Sequence, residues 1–424
     1  MKVFNNLGSL IEDLWRAKNY SEAAFPCIAA RALEEANLRE KVTPWDIARW
    51  VLSESQLPRQ QDVDGRFGDP PITLYAGPRF HIDVYFWLDG TTDIHQHSFA
   101  GAFQVLLGSS IHSSFSFKKK HEINVNFMIG DIVFESAEVL QEGDIRKIFA
   151  GREHIHSLFH LDRPSATITI RTYDVATAYP QYSYRRPHLA YNYFFKEVTT
   201  AKKLQTVELL LQTQHPEADA MIGDLVADAD FQTTFLVLET VFKTMALDQL
   251  QKHLKRSPGK DRFEILLEKA RSRHGELVNS ILPVFEEDQR LKDIISRRTF
   301  ITSSEHRFFL ALLLNISSKA MIFDLIKRRF PEREPIETVL DWVMDLSSMR
   351  VWGSDEPNVL GLKDFNDQYL FVLEGLLRDH SLEQIKDSIE REYPADQAEK
   401  LKGEVAGITS TLRSSVLFKA ALAD

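Results

Sequence analysis

Apolar residues recur along this chain with two different periods. Near the start the spacing is helical. Leu7, Leu10, Ile11, Leu14 and Trp15 stand at i, i+3, i+4, i+7 and i+8, one face of a helix. A second helix is expected near residues 21–38. Thr43-Pro44-Trp45-Asp46 reads as the start of a third, with threonine as N-cap, proline at the first helical position and an acid at the third. Ile47, Trp50 and Val51 are its apolar stripe. Residues 56–71 are polar and hold Gly65, Gly68, Pro70 and Pro71, which predicts a loop. Then the period drops to two. Phe80, Ile82, Val84, Phe86 and Leu88 alternate with His81, Asp83, Tyr85 and Trp87, the signature of a strand. Residues 103–108, 111–117, 123–128, 131–139, 143–149 and 166–173 read as further strands. Lys118-Lys119-Lys120-His121 reads as a solvated hairpin tip between two of them. Short strands at regular spacing predict a sandwich or small barrel, with room for one ligand in its mouth.

Beyond Phe194 the helical period returns. Ile336, Val339, Leu340, Val343 and Leu346 form one stripe after Pro335. Ser381-Leu382-Glu383-Gln384 is a capping box. Eight to ten helices are expected, with no fixed-period repeat. Between barrel and helices lies a run holding Tyr173, Tyr179, Tyr182, Tyr184, Tyr191 and Tyr193, with Arg185, Arg186 and His188 among them. Pro180 and Pro187 favour a packed connector there over a substrate-gripping flap. The expected fold class is α+β: an N-terminal helical segment (1–58) packed on an antiparallel β-barrel (72–178), a connector or flap (179–195) and a large all-helical domain (196–424).

Composition narrows the class. The chain has 424 residues, 44% hydrophobic and 26% charged, as an ordinary globular protein does. A net charge of −10 argues against a general nucleic-acid binder and against docking on anionic lipid. No apolar run reaches the length of a membrane span, and the first residues lack the apolar core of a signal peptide, so a cytoplasmic protein is expected. The single cysteine, Cys27, excludes an intrachain disulfide. In its alanine-rich stretch it is expected to be a small buried residue.

The chemistry concentrates in histidines. Residues 92–108 read as strand, turn, strand, with His95 and His97 at His-x-His spacing, so on a strand both imidazoles point to one face and Gln96 to the other. Two imidazoles on neighbouring pleats can converge on one ion at about 2 Å from each nitrogen. A third ligand must come from elsewhere. Gly151-Arg152-Glu153-His154-Ile155-His156 offers two candidates at i, i+2 spacing. His156 is either an alternative ligand or a base beside the metal, and His160 is placed to orient a ligand. Gln104 and Tyr173 are candidates for contact with the reacting groups, with Asp83 and Tyr85 as weaker ones. His215, His253, His274, His306 and His380 show no ligand spacing and read as ordinary histidines.

The spacing Gly90-(x)4-His95-x-His97-…-Gly108, followed by Gly143-(x)7-Gly151-x-x-His154, resembles the two motifs of the cupin superfamily. The segments Phe80-His-Ile-Asp-Val-Tyr-Phe-Trp, Ile94-His-Gln-His-Ser and Phe103-Gln-Val-Leu-Leu-Gly look like the core of the cysteine dioxygenase-like cupins, over roughly residues 45–185. The resemblance implies a cupin-type barrel with Fe(II) held by His95, His97 and His154, with Ni, Mn or Zn as other divalent candidates. It implies a small anionic or thiol-containing substrate and oxygen as partners. There are departures. No glutamate stands at Gly101 or Ala102, which suits three histidines and not a four-ligand set. The cysteine of the animal enzymes' cross-link would fall at about Ala102, and the arginine that takes an amino-acid carboxylate has no match near residues 71–75. Cysteine as substrate is thereby put in doubt. The helical half, over half of the chain, keeps a second class open: a non-catalytic metal- or ligand-binding cupin whose helices dock a protein partner or form a homodimer.

Overall fold

The computed structural model describes the chain except residues 65–66, 89–92, 174–179, 196, 252–258, 351–357, 364 and 423–424. Gly90, Tyr179 and His253 therefore lie outside the described residues. The N-terminal helices are α1 (Lys2–Arg16), α2 (Phe25–Ala36) and α3 (Pro44–Ser53). Phe4, Leu7, Ile11 and Trp15 make the buried face of α1. The expected capping box on α3 forms: Thr43 and Asp46 each accept a hydrogen bond from the other's backbone N–H. Cys27 is exposed, contrary to expectation. The buried stripe of α2 runs through Phe25, Ile28, Ala29, Ala32 and Leu33, and Cys27 falls off that face.

Among the described residues eleven strands follow: β1 (Pro71–Ala76), β2 (Phe80–Trp87), β3 (Ile94–His97), β4 (Gly101–Leu107), β5 (Ser110–Asn124), β6 (Phe127–Leu140), β7 (Ile145–Ile148), β8 (Gly151–His160), β9 (Ser165–Thr172), β10 (Tyr182–Arg185) and β11 (Leu189–Asn192). They form two antiparallel layers. One is a five-stranded sheet in the order β1-β2-β9-β4-β7. The other is a closed ring, β10-β11-β6-β5-β8-β3, in which β10 pairs back onto β3. Alternation assigns the faces of the first sheet. Phe80, Ile82, Val84 and Phe86 of β2, with Ile168 and Ile170 of β9, pack under α1 and α2 in one core. Each such side chain contributes about 1.5–3 kcal/mol of burial. The other face of β2 looks at the ring: the Trp87 indole stacks on the His160 imidazole of β8, ring centres 4.4 Å apart.

Two expectations are corrected here. Lys118–His121 is not a hairpin tip. It lies within the long strand β5, paired with β6 around Asp131 and Gly130, and the turn comes later, at residues 125–126. Residues 182–192 are not a connector or flap either. They are the β10–β11 hairpin that closes the ring. Arg185 pairs with Glu239 at 2.9 Å and with Asp288, and Arg186 donates to the Leu314 carbonyl at 2.9 Å. Both arginines thus fasten the hairpin to the helices.

The helical half comprises α4 (Val198–Gln212), α5 (Ala218–Asp228), α6 (Phe231–Gln251), α7 (Gly259–His274), α8 (Ile281–Thr299), α9 (Ser304–Asn315), α10 (Lys319–Arg329), α11 (Pro335–Ser348), α12 (Asp367–Leu377), α13 (Leu382–Glu392) and α14 (Ala395–Ser414). Ser381 caps α13 through the expected box. The helices build two cores. The first gathers Val207, Ile222, Phe235 and Phe285 around Phe127, Ile129 and Leu189 of the ring. The second runs from Ile294 to Leu422 and takes in Ile111 and Phe159 of β5 and β8. Both therefore pack on the ring's outer side. Among the described residues no helix is long and apolar enough to cross a membrane.

Candidate metal centre

The period-two reading of His95 and His97 holds on β3. Gln96 points the other way, where its Oε1 accepts a 2.6 Å hydrogen bond from the Tyr184 hydroxyl. His95 pairs across to His156 of β8, but the register then breaks, and His97 lies opposite Gly151. β8 thus has three more residues than β3 between these two pairs, a bulge in the register that shifts which side chains stand opposite each other. Gly151 opens β8 with φ of +86°, and Gly108 closes β4 with φ of +79°, left-handed conformations that explain glycine at both motif positions.

The bulge decides which histidines meet. His95, His97 and His156 each present a ring nitrogen, and these nitrogens lie within 4.8 Å of one another. His97 Nε2 faces His156 Nε2 at 2.8 Å. His154 stands in a second set, with His112 of β5 and His156, under the same distance limit. His156 thus belongs to both sets and His154 to the second only. The His154 ring centre is 4.5 Å from that of His156, and its Nε2 is buried without a hydrogen-bond partner.

Burial holds these imidazoles neutral. It pushes His95 below its ordinary value and His97 and His156 well below theirs, with neighbouring histidines adding to the last two. His154 is lowered to about 4 for the same reason. The Arg171 guanidinium also depresses His97. A neutral imidazole carries a lone pair, the form a metal requires. The remaining nitrogens are partly committed. His95 Nδ1 lies 2.7 Å from the Asp93 carbonyl, which leaves Nε2 for a ligand. His97 Nδ1 is buried with no hydrogen-bond partner. The donor set fits a divalent transition ion: three nitrogens, neutral, converging and buried, with no carboxylate among them.

The opposing wall comes from the five-stranded sheet. Phe103 of β4 meets the His112 and His156 rings at 5.9 and 6.5 Å. Phe99 packs on His97 at 4.3 Å, and the Arg171 guanidinium lies 3.5 Å over the Phe99 ring. Asp83 accepts from the Tyr85 hydroxyl at 3.1 Å, and His81 Nδ1 lies 2.7 Å from the same carboxylate. Asp83 and Tyr85 therefore face the interior, as their alternation requires.

Gln104 is placed elsewhere. It pairs with Ile168, a member of the core under α1 and α2, so it sits on the outer face of its sheet, and its Nε2 donates to the Gly143 carbonyl at 3.1 Å. Tyr173 follows β9. Its hydroxyl donates to the Gly77 carbonyl at 3.0 Å and its ring packs on His81. His160 meets Ser110 Oγ through Nδ1 at 3.0 Å and stacks on Trp87, so these contacts hold it to β5 and β2 and neither is with His95, His97, His154 or His156. Burial lowers it to about 3. The residue that sequence reasoning missed is His112. Its only signal is alternation, since Ser110, His112 and Ser114 share the inward face of β5, opposite His160, Leu158 and His156.

No protein-family model matches the chain, and no curated protein matches it. Among solved structures the chain is similar to the crystal structure of the DMSP lyase DddQ from Ruegeria pomeroyi DSS-3, with 15% sequence identity, 41% of this chain and 93% of that chain covered, and a TM-score of 0.22.

Proposed function

We propose that this chain is a metal-dependent enzyme of the three-histidine cupin kind, with Fe(II) as its ion and a small anionic or thiol-containing substrate. The observation that carries the reading is the convergence of His95, His97 and His156 nitrogens within 4.8 Å in a buried, carboxylate-free set. The third ligand is His156 on this reading, and His154, the residue the cupin resemblance implies, stands beside it. A divalent ion held there supplies Lewis acidity and, if iron, an electron source for a reaction with oxygen. The chain's own groups supply the rest. The Arg171 guanidinium beside His97 and Phe99 places positive charge next to the ion's position, which favours an anionic substrate. Phe99 and Phe103 keep that side of the site apolar and exclude water. The Asp83–Tyr85 pair offers polar groups on the opposite wall.

The test is elemental analysis of the purified wild type beside His95→Ala, His154→Ala and His156→Ala, followed by oxygen uptake with thiols and other small acids. Near-stoichiometric iron, lost in the first and third variants and kept in His154→Ala, supports the assignment. Iron lost with His154 in place of His156 moves the third ligand by one pleat. A wild type that takes up no transition metal after anaerobic reconstitution overturns the reading. Metal without oxygen uptake on any such substrate favours a binding module.

A further inference from the structure

The three-histidine set accounts for one nitrogen of His156. The other nitrogen opens a chain of contacts that leaves the site. His156 Nδ1 lies 2.9 Å from His112 Nε2, and His112 Nδ1 lies 3.1 Å from Glu138 Oε1. Glu138 in turn accepts from Arg146 twice, Nε to Oε1 at 2.7 Å and Nη2 to Oε2 at 2.5 Å. The chain crosses the molecule: His156 sits on β8, His112 on β5, Glu138 on β6, and Arg146 on β7 of the opposite sheet. His156 and His112 are buried, while Glu138 and Arg146 are about one-third exposed.

The order of contacts fixes the hydrogens. A carboxylate gripped at both oxygens by a guanidinium only accepts, so His112 must donate to it from Nδ1. A neutral His112 then has a bare Nε2, which accepts from His156 Nδ1–H. His156 is thereby left with a bare Nε2 aimed at His97 Nε2. We infer that His112 is a positioning residue for the metal ligand His156, and that the Arg146–Glu138 pair at the barrel's edge selects its tautomer. His154 has no comparable chain among the hydrogen bonds described, which is why the arrangement assigns the third ligand to His156. This rests on the metal reading above.

A partner on the far nitrogen of a ligating imidazole is typically worth 10–100-fold in metal affinity. The experiment uses full-length protein, Co(II) as probe, a competing chelator to measure affinity, and the visible Co(II) spectrum to report ligand geometry. His112→Phe removes the acceptor and keeps a ring of similar size, and a 10–100-fold loss with an altered spectrum is expected. His112→Gln returns an oxygen near the position of Nε2 and should recover affinity to within a few-fold of the wild type. Glu138→Ala, at a partly exposed position, tests the same chain where folding is least at risk, and a loss of about 10-fold is expected. Wild-type affinity and spectrum in both His112→Phe and Glu138→Ala would overturn the inference. So would His112→Gln falling as far as His112→Phe with His95→Ala harmless, because His112 would then be a ligand of the second set. Co(II) binding untouched by His95→Ala and His97→Ala, with His112→Phe also silent, would instead sink the metal reading itself.

Discussion

Histidines of the barrel and of the helical half are the same residue in two physical situations. In the barrel, His95, His97, His112, His154 and His156 come from three neighbouring strands and turn toward one another. In the helical half His215, His274 and His306 each meet something else. His215 Nδ1 accepts from the Glu217 N–H at 3.2 Å, His274 Nε2 meets Thr234 Oγ1 at 3.0 Å, and His306 Nε2 lies 3.1 Å from Asp345. An unpartnered nitrogen is not what separates the groups, since His306 Nδ1 is as buried and as orphaned as His97 Nδ1. Convergence is. One orphaned nitrogen costs stability, whereas several that point at one place make a binding site.

The largest expected effect follows directly. Substituting His97 or His156 with Ala should abolish stoichiometric metal, while His274→Ala and His306→Ala should leave it at the wild-type level in elemental analysis. Metal that depended equally on both groups would erase the distinction.

The second effect is on stability against pH, and His160 isolates it because burial alone shifts it, to about 3. The folded protein then binds fewer protons than the unfolded chain between about 6.5 and about 3, so stability is complete above that window and falls as pH drops through it. At pH 5 this one group should cost roughly 2 kcal/mol. Urea denaturation of metal-free protein at pH 7.5 and 5.0 should show the drop, and His160→Gln should reduce it by about that amount. His95, His97, His154 and His156 add to the same trend, since burial lowers each of them too.

A third, similar or smaller effect probes the back of β3. Tyr184 from the closing hairpin is the partner of Gln96, between His95 and His97 on that strand. Tyr184→Phe leaves the buried Gln96 oxygen without that donor, at about 1–3 kcal/mol in chemical denaturation. If the hairpin also steadies His95 and His97, Co(II) affinity falls a few-fold in the same variant.

That hairpin shows where sequence reading ends. β2 and β3 were legible because alternation over a strand is local, and the same rule put His95 and His97 on one face. The N-cap of α3 and the box on α13 were legible for a similar reason, as each is closed within four residues. The strands β10 and β11 have four residues each and are flanked by Pro180 and Pro187. So short a segment acquires strand character from its partners β3 and β6, far away in sequence. The bulge in β8 is invisible for the same reason. It exists only in the register against β3, and it brings His156 to His95 and His97. His112 depends on Glu138, its cross-strand partner 26 residues away. Gln104 misled because parity along β4 does not reveal which face of the sheet the N-terminal helices cover.

The smallest effect belongs to the helical half. His306 is buried, but its partner Asp345 is largely exposed, so the pair gains little from charge. His306→Gln keeps a polar group near Nε2 and removes the buried Nδ1 that has no hydrogen-bond partner. The two changes oppose each other, and the net shift in unfolding free energy should stay below about 1 kcal/mol. A loss of several kcal/mol would mean that the His306–Asp345 contact between α9 and α11 holds the second helical core together. The helical histidines would then be structural keystones, and the contrast with the barrel would be one of role and no longer of importance.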